Sequence, residues 1–178
     1  MALVFQYGSN MSVARLNGDD RLAGDAKVVC VAKTVERFEL VFSVWSKSNN
    51  CAAADLQPSN AGRTVYGVLY EIPDFLLSRE TAKQSGRRSL DAIEGEGTNY
   101  VRAIIDVVTN VGEIVRALTY VVKDRQPNLK TSAAYVSHIL AGLGEHNMPK
   151  EYYRYVQSKI FENNEALRDA LPSLTSNT

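Results

Sequence analysis

The chain has 178 residues, and its 20 Lys and Arg balance its 20 Asp and Glu, which gives a formal net charge of zero at pH 7. This balance argues against binding to nucleic acid or to an anionic membrane over a broad surface. Hydrophobic residues make up 45% and charged residues 22% of the chain, as is typical of globular proteins that bury a core without disulfides or metal. The length predicts a single domain over residues 1–178, with a disordered tail after about residue 172.

The cysteines and histidines are too few and too scattered to predict a metal or disulfide site. Cys30 and Cys51 cannot form a disulfide framework, and this usage indicates a reducing, cytoplasmic compartment. His138 and His146 lie far along the chain from both, so zinc-type spacing is missing. Nothing in the sequence supports a Cys–His nucleophile pair, which only the fold could bring together. The favoured interpretation is that both cysteines are ordinary, partly buried thiols. Neither a membrane span nor a signal peptide is predicted.

The N-terminal half of the chain predicts strands separated by polar turns. Residues 2–6 predict a first strand that ends at a Gly-Ser-Asn turn. A loose apolar face predicts a helix over residues 11–23. Gly67, inside the strongest β-rich run, indicates that another piece of backbone approaches closely there. The further strands are predicted over residues 28–32, 38–42, 51–56 and 64–72.

The C-terminal half predicts a β-hairpin followed by helices. Pro73 is expected to begin a helical stretch to about residue 84, and Ser89 to cap a short helix that Gly95 closes. Because strands mostly follow one another and helices cluster at the end, the order predicts a mixed, largely antiparallel α+β domain. The predicted hairpin joins residues 100–108 to 114–122, and the last helices begin after Ser132 and at Pro149.

The turn after the first strand carries residues that could bind a ligand. In Tyr7-Gly8-Ser9-Asn10 a strand leads through glycine toward a predicted helix, and such a turn presents unpaired backbone N–H groups. These groups can hold an anionic or carbonyl oxygen. Gly8 lets a ligand approach the backbone, and Ser9 and Asn10 add side-chain donors. The alternative is a plain strand–helix turn, and the sequence has no nucleotide-binding glycine motif.

Glu94 is a candidate catalytic residue because it ends the predicted short helix. The negative end of the helix dipole disfavours a carboxylate there, and partial burial would raise its pKa, which suits a general base or acid near neutral pH. Gly95 and Gly97 flank Glu96 and leave room for a small ligand. The alternative is a surface Glu in a glycine-rich loop. Asp91 is expected to match the helix dipole, and Glu96 to be solvated.

Other aromatic and basic residues have mainly structural interpretations. Tyr70, Tyr100 and Tyr120 lie in β-rich runs, where aromatic side chains commonly pack into the core. The aromatic stripe of the last predicted helix is expected to be core or a dimer surface. Arg87 and Arg88 are expected to lie in a solvated loop, since two arginines do not make a nucleic-acid site.

Several of these segments, taken in order, match the motifs of one known family. They are Tyr7-Gly8-Ser9-Asn10, Gly67-Val68-Leu69-Tyr70-Glu71-Ile72, Leu90-Asp91-Ala92-Ile93-Glu94-Gly95 with Tyr100, Leu118-Thr119-Tyr120-Val121, and the stretch from Gly144 to Tyr152. This ordered set, over about residues 3–157, resembles the γ-glutamylcyclotransferase (AIG2-like) family. Residues 46–54 and 95–99 depart from the family pattern, and both are expected to help choose the leaving group.

The resemblance implies a small β-barrel with helices packed outside it and a pocket at one end. It also implies intramolecular aminolysis, in which the α-amino group of a γ-glutamyl unit attacks its own side-chain carbonyl. The products are 5-oxoproline and a free amino acid or amine. Because the nucleophile belongs to the substrate, no Ser or Cys triad is needed, and holding the ring-closing pose removes rotational entropy. One carboxylate can take the proton from the ammonium and return it to the leaving amine.

By this resemblance, Glu94 is the base and acid, the Tyr7–Asn10 loop holds the glutamyl oxygens, and Tyr100 and Tyr120 line the pocket. No metal, nucleotide or other cofactor is implied. The expected partner is a small γ-glutamyl molecule, with no nucleic acid or membrane, and a homodimer is left open. We therefore expect a cytoplasmic enzyme of γ-glutamyl and glutathione metabolism that acts on γ-glutamyl dipeptides. The alternatives are a γ-glutamylamine or specialised-metabolite cyclotransferase, and a catalytically silent binding module on the same fold.

Overall fold

The structure, a computed structural model, describes residues 1–171. Its strands are β1 (Ala2–Gln6), β2 (Lys27–Thr34), β3 (Phe38–Ser46), β4 (Cys51–Pro58), β5 (Tyr66–Ile72), β6 (Tyr100–Thr109) and β7 (Ile114–Val122). Its α-helices are α1 (Val13–Leu16), α2 (Arg79–Gln84), α3 (Leu90–Glu94), α4 (Ala133–Glu145) and α5 (Lys150–Asn163). The tail predicted after about residue 172 lies outside the described residues. Within residues 1–171, no helix is both long enough and apolar enough to cross a membrane.

Five strands close into a barrel in the order β1–β5–β2–β6–β7. Neighbouring strands run antiparallel except β1 and β7, which pair in parallel. Strands β3 and β4 form a separate antiparallel hairpin. The prediction of a mixed, largely antiparallel α+β barrel with flanking helices is therefore confirmed.

The strand directions bring the C-terminal end of β1 and the start of β6 to one end of the barrel. Because β1 and β7 are parallel, Gln6 and Tyr120 lie at corresponding ends of their strands. Strand β6 runs the opposite way, so its first residue, Tyr100, pairs with Val122 near the end of β7. This end of the barrel therefore gathers residues that are far apart in the sequence.

Two predicted helices are shorter or more broken than expected. The helix predicted over residues 11–23 is wrong, because only α1 and a preceding 3₁₀ turn at Ser9–Met11 are helical. After α1 the Asn17 side chain both donates to and accepts from the backbone of Ala26, and these bonds fix an irregular loop. The stretch predicted from Pro73 to residue 84 breaks into a 3₁₀ turn and α2, since Ser78 caps a new helix there.

Gly67 makes the close backbone contact that the sequence predicted. A Cβ at this position would lie 2.4 Å from the carbonyl oxygen of Gln6 and 2.6 Å from the ring of Phe5. Strand β5 therefore packs tightly against β1 just before the Tyr7–Asn10 loop.

Helix α4 packs closely against the back of the same loop, and this contact can be tested. A Cβ at Gly142 would lie 2.6 Å from the Cβ of Met11 and 2.8 Å from the backbone nitrogen of Ser12. We expect Gly142→Ala to lower the free energy of unfolding by about 1–3 kcal/mol, the usual cost of overpacking. Denaturant unfolding measures this change.

Gly144→Ala is the matched control in the same helix. Apart from its chain neighbours and the backbone of its own helix, no described atom lies within 4 Å of a Cβ at Gly144, so alanine is expected to be neutral or slightly stabilising there because of its helix propensity. Equal stability of the Gly142→Ala and Gly144→Ala variants would contradict the tight packing of α4 on the loop.

Candidate active site

A small cavity of about 30 Å³ lies at the end of the barrel that holds the C-terminal end of β1 and the start of β6. Residues of α3 and β7 also line it. All of the site residues predicted from the sequence line it. The additional lining residues that the sequence did not predict are Gln6, Ala54 and Tyr135. The full lining is Gln6, Tyr7, Gly8, Ser9, Asn10, Ala54, Glu94, Tyr100, Tyr120 and Tyr135.

Glu94 is the last residue of α3, as the sequence predicted. The Ser89 side chain accepts a hydrogen bond from the backbone N–H of Ala92 at 3.1 Å and begins the helix. Gly95 closes it in the left-handed conformation, with φ at 72°, which glycine adopts without strain. This local pattern turns the chain sharply just after Glu94.

The Glu94 carboxylate has one occupied oxygen and one free oxygen. Its Oε1 accepts hydrogen bonds from the Gln6 side-chain amide at 3.1 Å and from the Asn10 side-chain amide at 2.8 Å. No donor among residues 1–171 reaches Oε2. The two amides therefore fix the orientation of the carboxylate and leave Oε2 available for proton transfer.

Burial raises the pKa of Glu94 above its usual range. The hydrogen bonds from Asn10 and Gln6 and the charges of Arg21 and Arg15 act in the opposite direction, because they favour the ionised carboxylate. The net shift is upward, which brings Glu94 closer to neutral pH and suits it to accept and return a proton.

The tyrosines of the cavity are tied to the protein by their hydroxyl groups. Tyr7 donates to the carbonyl oxygen of Tyr120 at 2.7 Å, and Tyr100 donates to the carbonyl oxygen of Ala54 at 2.7 Å. Burial raises the pKa of both Tyr7 and Tyr100, so both stay neutral. These residues therefore form rigid walls. Tyr70, in contrast, is buried elsewhere and donates to Met11.

Asp91 has a larger role than the helix-dipole match that the sequence suggested. It is buried and accepts two hydrogen bonds from Arg102, each at 2.8 Å, and one from the Tyr120 hydroxyl at 2.8 Å. Asp91 therefore positions Tyr120 against α3. Glu96, which was expected to be solvated, is partly exposed and pairs with Arg79 at 3.2 Å.

The arginines expected in a solvated loop hold the irregular segment after α1. Arg87 donates to the carbonyl oxygen of Leu22 at 2.7 Å and also pairs with Asp25. Arg88 donates to the carbonyl oxygen of Asp20 at 2.9 Å. Both arginines lie in the loop between α2 and α3, as expected, and Arg88 is exposed, but their side chains also bind the backbone of this neighbouring segment.

The Tyr7–Asn10 loop leaves backbone donors available. Met11 donates to the carbonyl oxygen of Gly8 at 3.1 Å, and among residues 1–171 the N–H groups of Ser9 and Asn10 have no acceptor. A Cβ at Gly8 would point toward Ala54 and the Tyr135 hydroxyl, at 3.5 and 3.7 Å. A larger residue at this position would therefore narrow the cavity. The described part of the chain holds no cluster of three or more His, Cys, Asp or Glu that could bind a metal.

A family model matches the part of the chain that carries much of this site. Residues 64–156 match the model of the AIG2-like family, and they make up more than half of the chain. The chain belongs to the AIG2-like family. The matched region includes Glu94, Tyr100 and Tyr120, and the suspected family is confirmed. None of the curated proteins matches the sequence significantly.

Solved structures share the fold of this AIG2-like chain at low sequence identity. A human protein described as uncharacterized protein loc79017 is 24% identical, with 88% of this chain and 86% of that one covered and a TM-score of 0.72. A structure named gamma-glutamyl cyclotransferase is 22% identical, with the same coverage and a TM-score of 0.70. YkqA from Bacillus subtilis is 23% identical over 89% of this chain and 54% of that one, with a TM-score of 0.69.

The raised pKa of Glu94 predicts a stability change when its charge is removed. Because the folded protein holds this proton more tightly than the unfolded chain, the contribution of Glu94 to stability is fully present below the unfolded-state pKa and is lost as pH rises through the folded pKa. Glu94→Gln keeps an oxygen for both amide donors. We therefore expect it to raise the free energy of unfolding at neutral pH, and to do so less below the ordinary glutamate pKa.

Urea unfolding of the parent and the variant, at neutral pH and at a pH below the ordinary glutamate pKa, measures the change in the free energy of unfolding. Glu96→Gln is the matched control. Glu96 lies two residues further along, pairs with Arg79 and is partly exposed, so its replacement should bring no gain. A Glu94→Gln variant that is less stable than the parent at neutral pH would contradict the burial of an ionisable carboxylate.

Proposed function

We propose that the protein is a cyclotransferase that converts γ-glutamyl dipeptides into 5-oxoproline and a free amino acid. The observation that carries this proposal is the Glu94 carboxylate, fixed through Oε1 and free at Oε2 beside the Tyr7–Asn10 loop. The similarity of the fold to a structure named gamma-glutamyl cyclotransferase supports it.

In the proposed reaction, Oε2 of Glu94 takes a proton from the α-ammonium group of the substrate. The freed amine attacks the γ-carbonyl carbon, a C–N bond forms, and the negative charge moves to the carbonyl oxygen. Backbone N–H groups of Ser9 and Asn10 are the proposed donors to that oxygen. Glu94 then returns its proton to the leaving nitrogen, the original C–N bond breaks as the carbonyl re-forms, and the carboxylate is regenerated. The ring nitrogen gives its second proton to the released amine, which departs as an ammonium and leaves a neutral lactam.

The size of the cavity sets a condition on binding. Its volume of about 30 Å³ is comparable to the share of one water molecule in the liquid, which is about 30 Å³. A folded γ-glutamyl unit is larger, so its binding requires lining side chains to move apart. We propose that Gln6 moves, because among residues 1–171 its side chain forms a hydrogen bond only with Glu94.

The first test of the proposed function replaces the catalytic carboxylate. Glu94→Gln is expected to lower 5-oxoproline formation from γ-glutamyl dipeptides at least ~100-fold, because an amide cannot accept the proton. The dipeptides are assayed as a panel, with mass analysis of the cyclised product. Glu96→Gln should retain activity, and a chelator should leave the wild-type rate unchanged. Turnover by Glu94→Gln within tenfold of wild type would remove Glu94 from the proposed role.

The second test concerns the pH dependence of the rate. The value of kcat/KM, which reports the ionisation of the free enzyme, should rise with pH as Glu94 ionises, since the carboxylate must be unprotonated to act as a base. Gln6→Ala removes a hydrogen bond that favours the ionised form, so the acidic limb of its profile should move to higher pH. The control is Gln57→Ala on an exposed part of β4. An unshifted limb in Gln6→Ala would show that a group other than Glu94 controls it.

A further inference from the structure

A second, larger hollow lies beside the cavity that holds Glu94. It encloses about 440 Å³, and its walls come mainly from α1, the irregular loop after it and the tip of the β3–β4 hairpin. We call it the arginine basin. Its polar and charged lining includes Arg15, Asp20, Arg21, Asn49, Arg88 and His138.

Asn10 stands between the arginine basin and Glu94. Its side-chain nitrogen donates to Glu94 at 2.8 Å, and its side-chain oxygen accepts from Arg21 at 2.6 Å. Ile93, the chain neighbour of Glu94, also lines the basin. A ligand that binds at Glu94 therefore lies next to the basin.

The basin contains positive charge that the described protein does not neutralise. Arg15 and Arg21 are partly buried, and among residues 1–171 neither forms an ion pair. The buried Nε–H of Arg15 has no acceptor in the same part of the chain. Because a buried cation without a partner is costly, an anion that enters the basin would gain the contacts that these groups lack.

The other titratable groups that face the basin leave this charge positive. Asp20 is largely exposed and lies 3.9 Å from Arg88. Burial and the charges of Arg15 and Arg21 lower the pKa of His138, so it is neutral at neutral pH. Three arginines against one aspartate give the basin a net positive charge, and arginines stay protonated at neutral pH.

The hairpin tip orients one of these arginines. Arg15 donates to the side-chain oxygen of Asn49 at 2.8 Å, and the side-chain nitrogen of Asn49 donates to Ser46 at 2.7 Å. This tip belongs to residues 46–54, the segment that departs from the family pattern. The segment that differs from the family pattern therefore holds Arg15 in place at the basin.

We propose that the arginine basin binds the leaving group of the γ-glutamyl substrate and selects an acidic amino acid, which carries two carboxylates. The inference rests on the proposed function. The α-carboxylate of a leaving amino acid lies two bonds from the nitrogen that is released, and an acidic side chain adds a second carboxylate further out. Guanidinium groups bind carboxylates through paired hydrogen bonds, so the two anionic groups can be shared among the arginines.

The test compares γ-glutamyl-glutamate with γ-glutamyl-glutamine, which have nearly the same shape and differ in charge. We expect kcat/KM for 5-oxoproline release to be about tenfold or more higher with γ-glutamyl-glutamate at low salt. Added salt should reduce this preference, because ions screen a basin that is open to solvent. The salt dependence uses the wild-type protein and needs no variant to fold.

Arg15→Gln and Arg88→Gln, made separately, should each bring the ratio of the two kcat/KM values toward one. The ratio within each variant cancels a general loss of activity. The control is Arg116→Gln on β7, whose side chain is 79% exposed and lies 3.9 Å from Asp106, and it should keep the wild-type ratio.

The outcomes separate this inference from the proposed function. Equal release of 5-oxoproline from both peptides by the wild-type protein would overturn the inference and leave the proposed function in place. A preference that persists in Arg15→Gln and Arg88→Gln and at high salt would also overturn it. If neither peptide yields 5-oxoproline but other γ-glutamyl dipeptides of the panel do, the inference is overturned and the proposed function stands. If no dipeptide of the panel yields 5-oxoproline, both fail.

Discussion

The hydrogen bonds from Gln6 and Asn10 to Glu94 are the contacts on which the candidate site depends. They join the end of β1 and its loop to the end of α3, which are 84 or more residues apart in the chain. They also oppose the burial that raises the pKa of Glu94. The same pair of amides thus sets both where the carboxylate lies and how readily it holds a proton.

Closure of the barrel makes these contacts possible. The parallel pairing of β1 with β7 places Tyr7 beside Tyr120, and the hydroxyl of Tyr7 locks the two strands together through a carbonyl oxygen. Tyr100 ties β6 to β4 in the same way, and Asp91 ties Tyr120 to α3. The walls formed by Tyr7, Tyr100 and Tyr120 are therefore each fixed by a hydrogen bond to another element, whereas Gln6 is the lining residue that we propose to move.

The sequence predicted those parts of the structure that local chemistry determines. Alternating apolar runs gave the strands, and a capping Ser89 with a closing Gly95 placed Glu94 at a helix end. The helix predicted over residues 11–23 was wrong because Met11, Leu16 and Leu22 are buried from a 3₁₀ turn, a short helix and an irregular loop rather than from one helical face. Helical spacing of the apolar residues cannot distinguish these two arrangements. Asp91 was misjudged because its partner Arg102 lies on a strand beyond a turn, and such a pairing has no signature in local spacing.

The charges of the arginine basin bear directly on the reactivity of Glu94. Arg21 and Arg15 both favour the ionised carboxylate, so they lower the pKa that burial raises. An anion bound to these arginines offsets their positive field, and the pKa of Glu94 then rises further. A carboxylate with a higher pKa is a stronger base, so the proton leaves the substrate ammonium more readily. An acidic leaving group in the basin would therefore make Glu94 a stronger base when the γ-carbonyl is in place. Binding of the preferred substrate would in this way assist the proton transfer through electrostatics alone.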